Sequence, residues 1–99
     1  MSTKVYGWRW HVAYAPTHGQ VRAFCAAPSK AALARLAGVT SPARLLCLTE
    51  THNAEELALA ARYPGQILIA PLHGRGDVRF YQAGQSWDAL RPVPREDKE

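Results

Sequence analysis

The first half of the chain carries basic side chains and not one carboxylate. Residues 1–49 contain six Lys or Arg residues and no Asp or Glu, and the whole chain of 99 residues has a formal net charge of +4. Guanidinium and ammonium groups without neighbouring carboxylates favour an anionic partner, because their charge is left uncompensated. General solubility is the alternative explanation. The six residues are Lys4, Arg9, Arg22, Lys30, Arg35 and Arg44.

These side chains have the chemistry of nucleic-acid contacts. Lys and Arg bind phosphate oxygens, and an Arg guanidinium can donate two hydrogen bonds to guanine. Arg75 lies at the tip of a predicted C-terminal hairpin and Arg79 on its returning strand, from which both can reach phosphates. The predicted nucleic-acid-binding residues are Lys30, Arg35, Ser41, Arg44, Arg9, Arg22, Arg75 and Arg79.

The histidines and cysteines do not form a catalytic or metal-binding pattern. No two of the four histidines have the short, fixed spacing of a zinc site, and neither cysteine has an orienting group or an oxyanion-hole motif nearby in sequence. We therefore expect no catalytic residue, no metal, no cofactor and no enzymatic activity. Cys25 and Cys47 have apolar neighbours, which favours reduced, buried thiols over a disulfide.

Strands are predicted at both ends of the chain. Aromatic residues alternate with other residues from Lys4 to Tyr14, and alternation returns over 20–26, which predicts an N-terminal hairpin. Residues 66–72 and 78–82 predict a C-terminal hairpin around the turn 74–77. The aromatic face of the first strand is either core beneath helices, which is favoured, or a platform on which bases stack.

Three short helices are predicted between the hairpins. Ser29 caps the first, which ends at Gly38, the second covers 42–46, and Asn53 caps the third over 54–62. The expected fold class is α+β, with an N-terminal β-hairpin, three short helices and a C-terminal β-hairpin. A single sheet is expected to carry the helices on one face.

The domain prediction is one α+β domain over residues 1–90, followed by a polar, flexible tail over 91–99. Apolar runs such as 67–70 are too short to span a bilayer, so a cytoplasmic protein without a membrane partner is expected.

Residues 30–46 resemble a helix-turn-helix DNA-binding unit. Ala34 matches the small residue at which the two helices cross, Gly38 matches the turn, and Val39 matches the residue that fills the angle. The resemblance implies that the helix after Thr40 is a recognition helix in the major groove of duplex DNA.

That recognition helix would present Ser41 and Arg44 to bases, while Lys30 and Arg35 would meet phosphates. The chain departs from the unit at Pro42 and at Arg44, where a buried apolar residue is expected. A plain helix–helix corner packed on a sheet explains the same pattern.

A longer arrangement spans most of residues 5–72. It joins a Tyr/Trp strand, the segment 29–39, the segment 49–56 and Pro64-Gly65, and it is similar to short uncharacterised proteins of bacteria and their phages or mobile elements. We therefore predict a small nucleic-acid-binding accessory or regulatory protein. The alternative is a protein-interaction module or inhibitor that binds a host protein through an aromatic and basic surface. Either function is compatible with a homodimer.

Overall fold

An antiparallel sheet is the centre of the fold. The computed structural model describes residues 3–16, 18–72 and 77–94. Within these ranges, the strands are β1 (Lys4–His11), β2 (Gln20–Ala27), β3 (Leu46–Glu50), β4 (Leu68–Pro71) and β5 (Arg79–Phe80). Their order across the sheet is β3-β1-β2-β4-β5, so β3 and β5 are the edge strands.

Two α-helices, α1 (Lys30–Ala37) and α2 (Ala54–Arg62), connect these strands. Ser29 begins α1, because its hydroxyl accepts a hydrogen bond from the backbone N–H of Ala32 at 3.1 Å. The helix ends at Gly38, whose φ of 79° lies in the left-handed region that glycine adopts without strain. Short 3₁₀ helices cover Pro42–Arg44 and Trp87–Ala89.

The helices pack on opposite faces of the sheet. Alternate residues of β1 and β2 point to the two faces, so the hairpin contributes to two separate hydrophobic clusters. The larger cluster includes Trp8 and Cys25 and receives Leu33 from α1. The smaller cluster includes Phe24 and receives Ala60 from α2.

The prediction of three helices on one face of a sheet built from two hairpins is wrong. Where a second helix was expected, only Pro42–Arg44 is helical, as a single 3₁₀ turn, and β3 follows. A short apolar run such as 45–48 does not distinguish a helix from a strand by its periodicity. This run forms a strand because the backbone N–H and C=O groups on the outer edge of β1 form hydrogen bonds with it.

The segment after β5 packs back onto the sheet. Trp87, Leu90 and Val93 are all buried, and Pro92 forms an isolated antiparallel bridge with Arg79. Packing therefore continues to Val93, into the region predicted as a tail. Most of the predicted turn 74–77 and the last five residues of that tail lie outside the described residues. No helix in the described ranges is long and apolar enough to cross a membrane.

Candidate nucleic-acid interface

An open cleft of about 530 Å³ lies where β1 ends and β3 begins. The end of β1, the start of β2, the 3₁₀ turn before β3 and the residue after β5 all contribute to its walls. The cleft is lined by Arg9, Trp10, His11, Gln20, Arg44, Leu46, Cys47 and Tyr81.

Pairing of β1 with β3 brings two arginines into this cleft. Arg9 is paired with Leu46 across the two strands, and Arg44 precedes Leu46 by two residues. Both arginine side chains are exposed. None of the described residues that line the cleft is an Asp or Glu, and His11 contributes an imidazole ring. The cleft is therefore suited to an anion.

Trp10 and Tyr81 form the aromatic part of the wall. The Trp10 ring lies edge-to-face against both Trp8 and Tyr81, at centroid distances of 5.8 Å and interplanar angles of 85° and 89°. Trp8 is completely buried, so its ring gives Trp10 a contact within the core. Tyr6 and Trp8 are core residues, as the favoured prediction had it, whereas Trp10 is only partly buried and reaches the cleft.

A β-bulge shapes the same region. Gly7 pairs with Thr49 and Arg9 with Leu46, so β3 carries one more residue than β1 between these pairs. Cys47 lies in this interval with a φ of 57°, a left-handed conformation that is uncommon for a residue with a side chain. Bulges bend a strand and change the direction of its side chains. The bulge thus accompanies the exposure of Cys47 in the cleft.

The two cysteines occupy opposite environments, and both are free. Cys25 is buried, and burial raises the pKa of its thiol from 9.0 to about 11. Cys47 is exposed, so the prediction that it is a core thiol is wrong.

A second cavity, of about 340 Å³, adjoins the cleft, because His11 and Tyr81 line both. Beside it, Tyr14 is 83% exposed. Tyr14 lines this second cavity together with Val12, Ala13, Gly84, Gln85 and Ser86.

Comparisons with protein-family models, curated proteins and solved structures find no match for this chain.

Arg22, one of the predicted nucleic-acid-binding residues, is held in an ion pair on the α2 side of the sheet. Its Nε and Nη2 donate hydrogen bonds to the Glu56 carboxylate at 3.1 and 3.2 Å. The guanidinium lies directly over Gly7, where a Cβ atom would come within 2.2 Å of Nη2. Thr51 accepts a further hydrogen bond from Nη2 at 3.5 Å. The positive charge of Arg22 is therefore balanced within the protein.

Arg79 is also engaged by its own chain. Its Nη1 donates a hydrogen bond to the carbonyl oxygen of Trp87 at 2.9 Å, and its guanidinium lies 4.7 Å from the centre of a Trp87 ring. These contacts attach the C-terminal segment to β5. Arg75 lies outside the described residues.

The predicted grouping of Lys30, Arg35 and Arg44 divides between two places. Lys30 and Arg35 are exposed on α1, five residues apart, which separates them by about 140° around the helix axis. The Ser41 hydroxyl accepts a hydrogen bond from the backbone N–H of Ala43 at 3.2 Å and caps the 3₁₀ turn. Among the predicted nucleic-acid-binding residues, Arg44 and Arg9 line the cleft.

Sequence reasoning missed His11, Gln20 and Tyr81 as wall residues. His11 and Gln20 are cross-strand partners, so alternation together with the hairpin register indicates that they are neighbours. Tyr81 carried no sequence signal, because its ring contact with Trp10 joins residues from strands that are not neighbours in the sheet. Within the described ranges, no three His, Cys, Asp or Glu residues are grouped as metal ligands.

Proposed function

We propose that this protein is a small nucleic-acid-binding accessory or regulatory protein, and that the cleft is its binding site. The observation that supports the proposal is that one cleft is lined by Arg9, Arg44, Trp10 and Tyr81. Guanidinium groups bind phosphates, and aromatic side chains contact bases.

The proposal relies on Arg44 from the segment that resembles a helix-turn-helix unit, but not on a recognition helix. Pro42–Arg44 is one 3₁₀ turn, and a helix of three residues cannot lie along a major groove. Arg44 instead projects from a turn next to the start of β3. The contact to nucleic acid is thus made by a sheet end and a turn.

Fluorescence anisotropy with labelled oligonucleotides over a range of salt concentrations tests this function. We expect Arg9→Ala and Arg44→Ala each to weaken binding severalfold and to reduce the slope of log K against log salt by about one. Arg35→Ala is the matched control, because it removes the same charge from an exposed site outside the cleft. No binding at low salt, or an equal effect of all three substitutions, contradicts the proposal.

The second candidate function is binding of a host protein, and edge strand β3 favours it. The outer side of β3 has no strand partner in the described structure, and Leu46 is 68% exposed at its start. An edge strand can pair with a strand of another protein. A stoichiometric partner that resists nuclease treatment and is lost on Leu46→Lys supports this function. If no such protein partner is recovered and the protein binds nucleic acid, the host-protein function is contradicted.

A further inference from the structure

The cleft and the second cavity are adjacent, since His11 and Tyr81 line both, and the two are called the groove below. We infer that this groove binds a single strand of nucleic acid in preference to a duplex, with its phosphates at Arg9 and Arg44 and a base stacked on Tyr14. The inference rests on the proposed function and specifies its substrate class.

The groove changes in chemistry from one cavity to the other. Arg9 and Arg44 line the cleft only, whereas the second cavity has the uncharged polar residues Gln85 and Ser86. The Ser86 hydroxyl does not cap the 3₁₀ helix that follows it. One end therefore suits phosphates, and the other has amide and hydroxyl groups for the hydrogen-bonding edges of bases.

Tyr14 is the residue that points to stacking. It is 83% exposed, the highest exposure among the large hydrophobic residues in the described ranges, so its ring contributes little to the core. Its backbone φ is 61°, and hydrogen bonds hold the turn around it: Ala15 N–H donates to the Val12 carbonyl at 3.2 Å, and Trp87 N–H donates to the Ala13 carbonyl at 2.9 Å. A fixed turn thus presents a mostly bare aromatic ring beside the groove.

A single strand uses these features better than a duplex does. Bases in a duplex are stacked on one another, and their faces are covered, whereas bases of a single strand are free to stack on side chains. Trp10, Tyr81 and Tyr14 are three aromatic side chains along one groove. An acidic peptide would find the same two arginines but would gain no base stacking.

The test compares a labelled oligothymidylate with a hairpin duplex of equal length, using the full chain and fluorescence anisotropy. We expect tighter binding of the single strand, a loss of about tenfold in its affinity on Tyr14→Ala, and near-normal affinity for Tyr14→Phe, which keeps the ring. Leu36→Ala is the control, because Leu36 is an exposed apolar residue on α1, 46% exposed and outside the groove.

The outcomes separate this inference from the function on which it rests. Equal or tighter binding of the duplex, or an unchanged single-strand affinity of Tyr14→Ala, overturns the inference while Arg9 and Arg44 remain nucleic-acid contacts. Displacement of the oligonucleotide by an oligoglutamate peptide at lower concentration than by unlabelled oligothymidylate overturns it as well. Failure to bind either nucleic acid at low salt overturns the proposed function itself.

Discussion

Arg9 and Arg22 face each other directly across β1 and β2, yet they have different roles. Like charges at paired positions of an antiparallel sheet repel each other. Glu56 relieves this repulsion, because its carboxylate neutralises Arg22 from α2. Within the described residues, no carboxylate lies within ion-pair distance of Arg9, which lines the cleft instead. Glu56 thus neutralises Arg22, while the charge of Arg9 stays available to a ligand.

The ion pair of Glu56 should make a measurable contribution to stability. We expect Glu56→Gln to lower the free energy of unfolding by about 1–3 kcal/mol, since Arg22 would keep its partly buried position with a weaker acceptor and an arginine opposite. Urea unfolding followed by circular dichroism measures the change. Glu55→Gln is the control, because Glu55 lies in the same helical turn and is exposed. Equal effects of the two substitutions would show that the ion pair contributes nothing.

The two thiols should differ in reactivity. At pH 8 and in the native state, we expect iodoacetamide to modify Cys47 and to leave Cys25 unmodified, because burial shields Cys25 and raises its pKa to about 11. Mass spectrometry should show one modification in the native protein and two in urea. Cys47→Ser should abolish the native modification. Rapid native labelling of Cys25 would mean that the core opens readily.

The raised pKa of Cys25 also makes stability depend on pH in the alkaline range. The unfolded chain releases this proton near pH 9.0, and the folded protein retains it until about pH 11. Between these values the unfolded state binds fewer protons, so stability falls as the pH rises. We expect Cys25→Ala to lessen the decline in the urea midpoint between pH 9 and pH 11. An identical decline in the variant would assign the pH dependence to other groups.

At the level of elements, the sequence predicts whatever depends on neighbouring residues. Alternation located β1 and β2, and capping residues located α1 and α2, because these signals come from period-two side chains and from hydrogen bonds within a few residues. β3 escaped prediction, since a Leu-rich run next to Pro42 takes its conformation from a distant strand. The candidate site depends on the same pairing. The basic residues were evident from the sequence. That Arg9 and Arg44 line the same cleft depends on the β1–β3 register and its bulge, which the sequence does not show.

The end of α1 offers a test of local control. The φ of Gly38 is 79°, and a Cβ atom there would meet nothing within 4 Å. We therefore expect Gly38→Ala to cost about 1 kcal/mol from backbone conformation alone. Gly38→Asn should cost less, because asparagine tolerates the left-handed region. Thermal or urea unfolding measures both variants, and an Asn variant that is no more stable than the Ala variant would contradict this account.

On the scale of the whole molecule, the C-terminal segment closes the larger hydrophobic cluster. Trp87, only 6% exposed, packs in that cluster with Leu33 of α1 and with Leu90. Its backbone N–H donates to Ala13 at 2.9 Å, and its ring lies beneath the Arg79 guanidinium. The segment therefore connects the loop after β1, the sheet and its outer strand β5.

Because Trp87 joins parts that are distant in sequence, its removal should affect the entire fold. We expect Trp87→Ala to lower the free energy of unfolding by about 3–5 kcal/mol, through lost burial and the cavity left behind. Asp88→Ala is the control, since Asp88 is the exposed next residue of the same 3₁₀ turn. Urea unfolding should give one transition by far-ultraviolet circular dichroism and by fluorescence of the remaining tryptophans. A variant with two separate transitions, or one as stable as Asp88→Ala, would show that the C-terminal segment packs on a core that is complete without it.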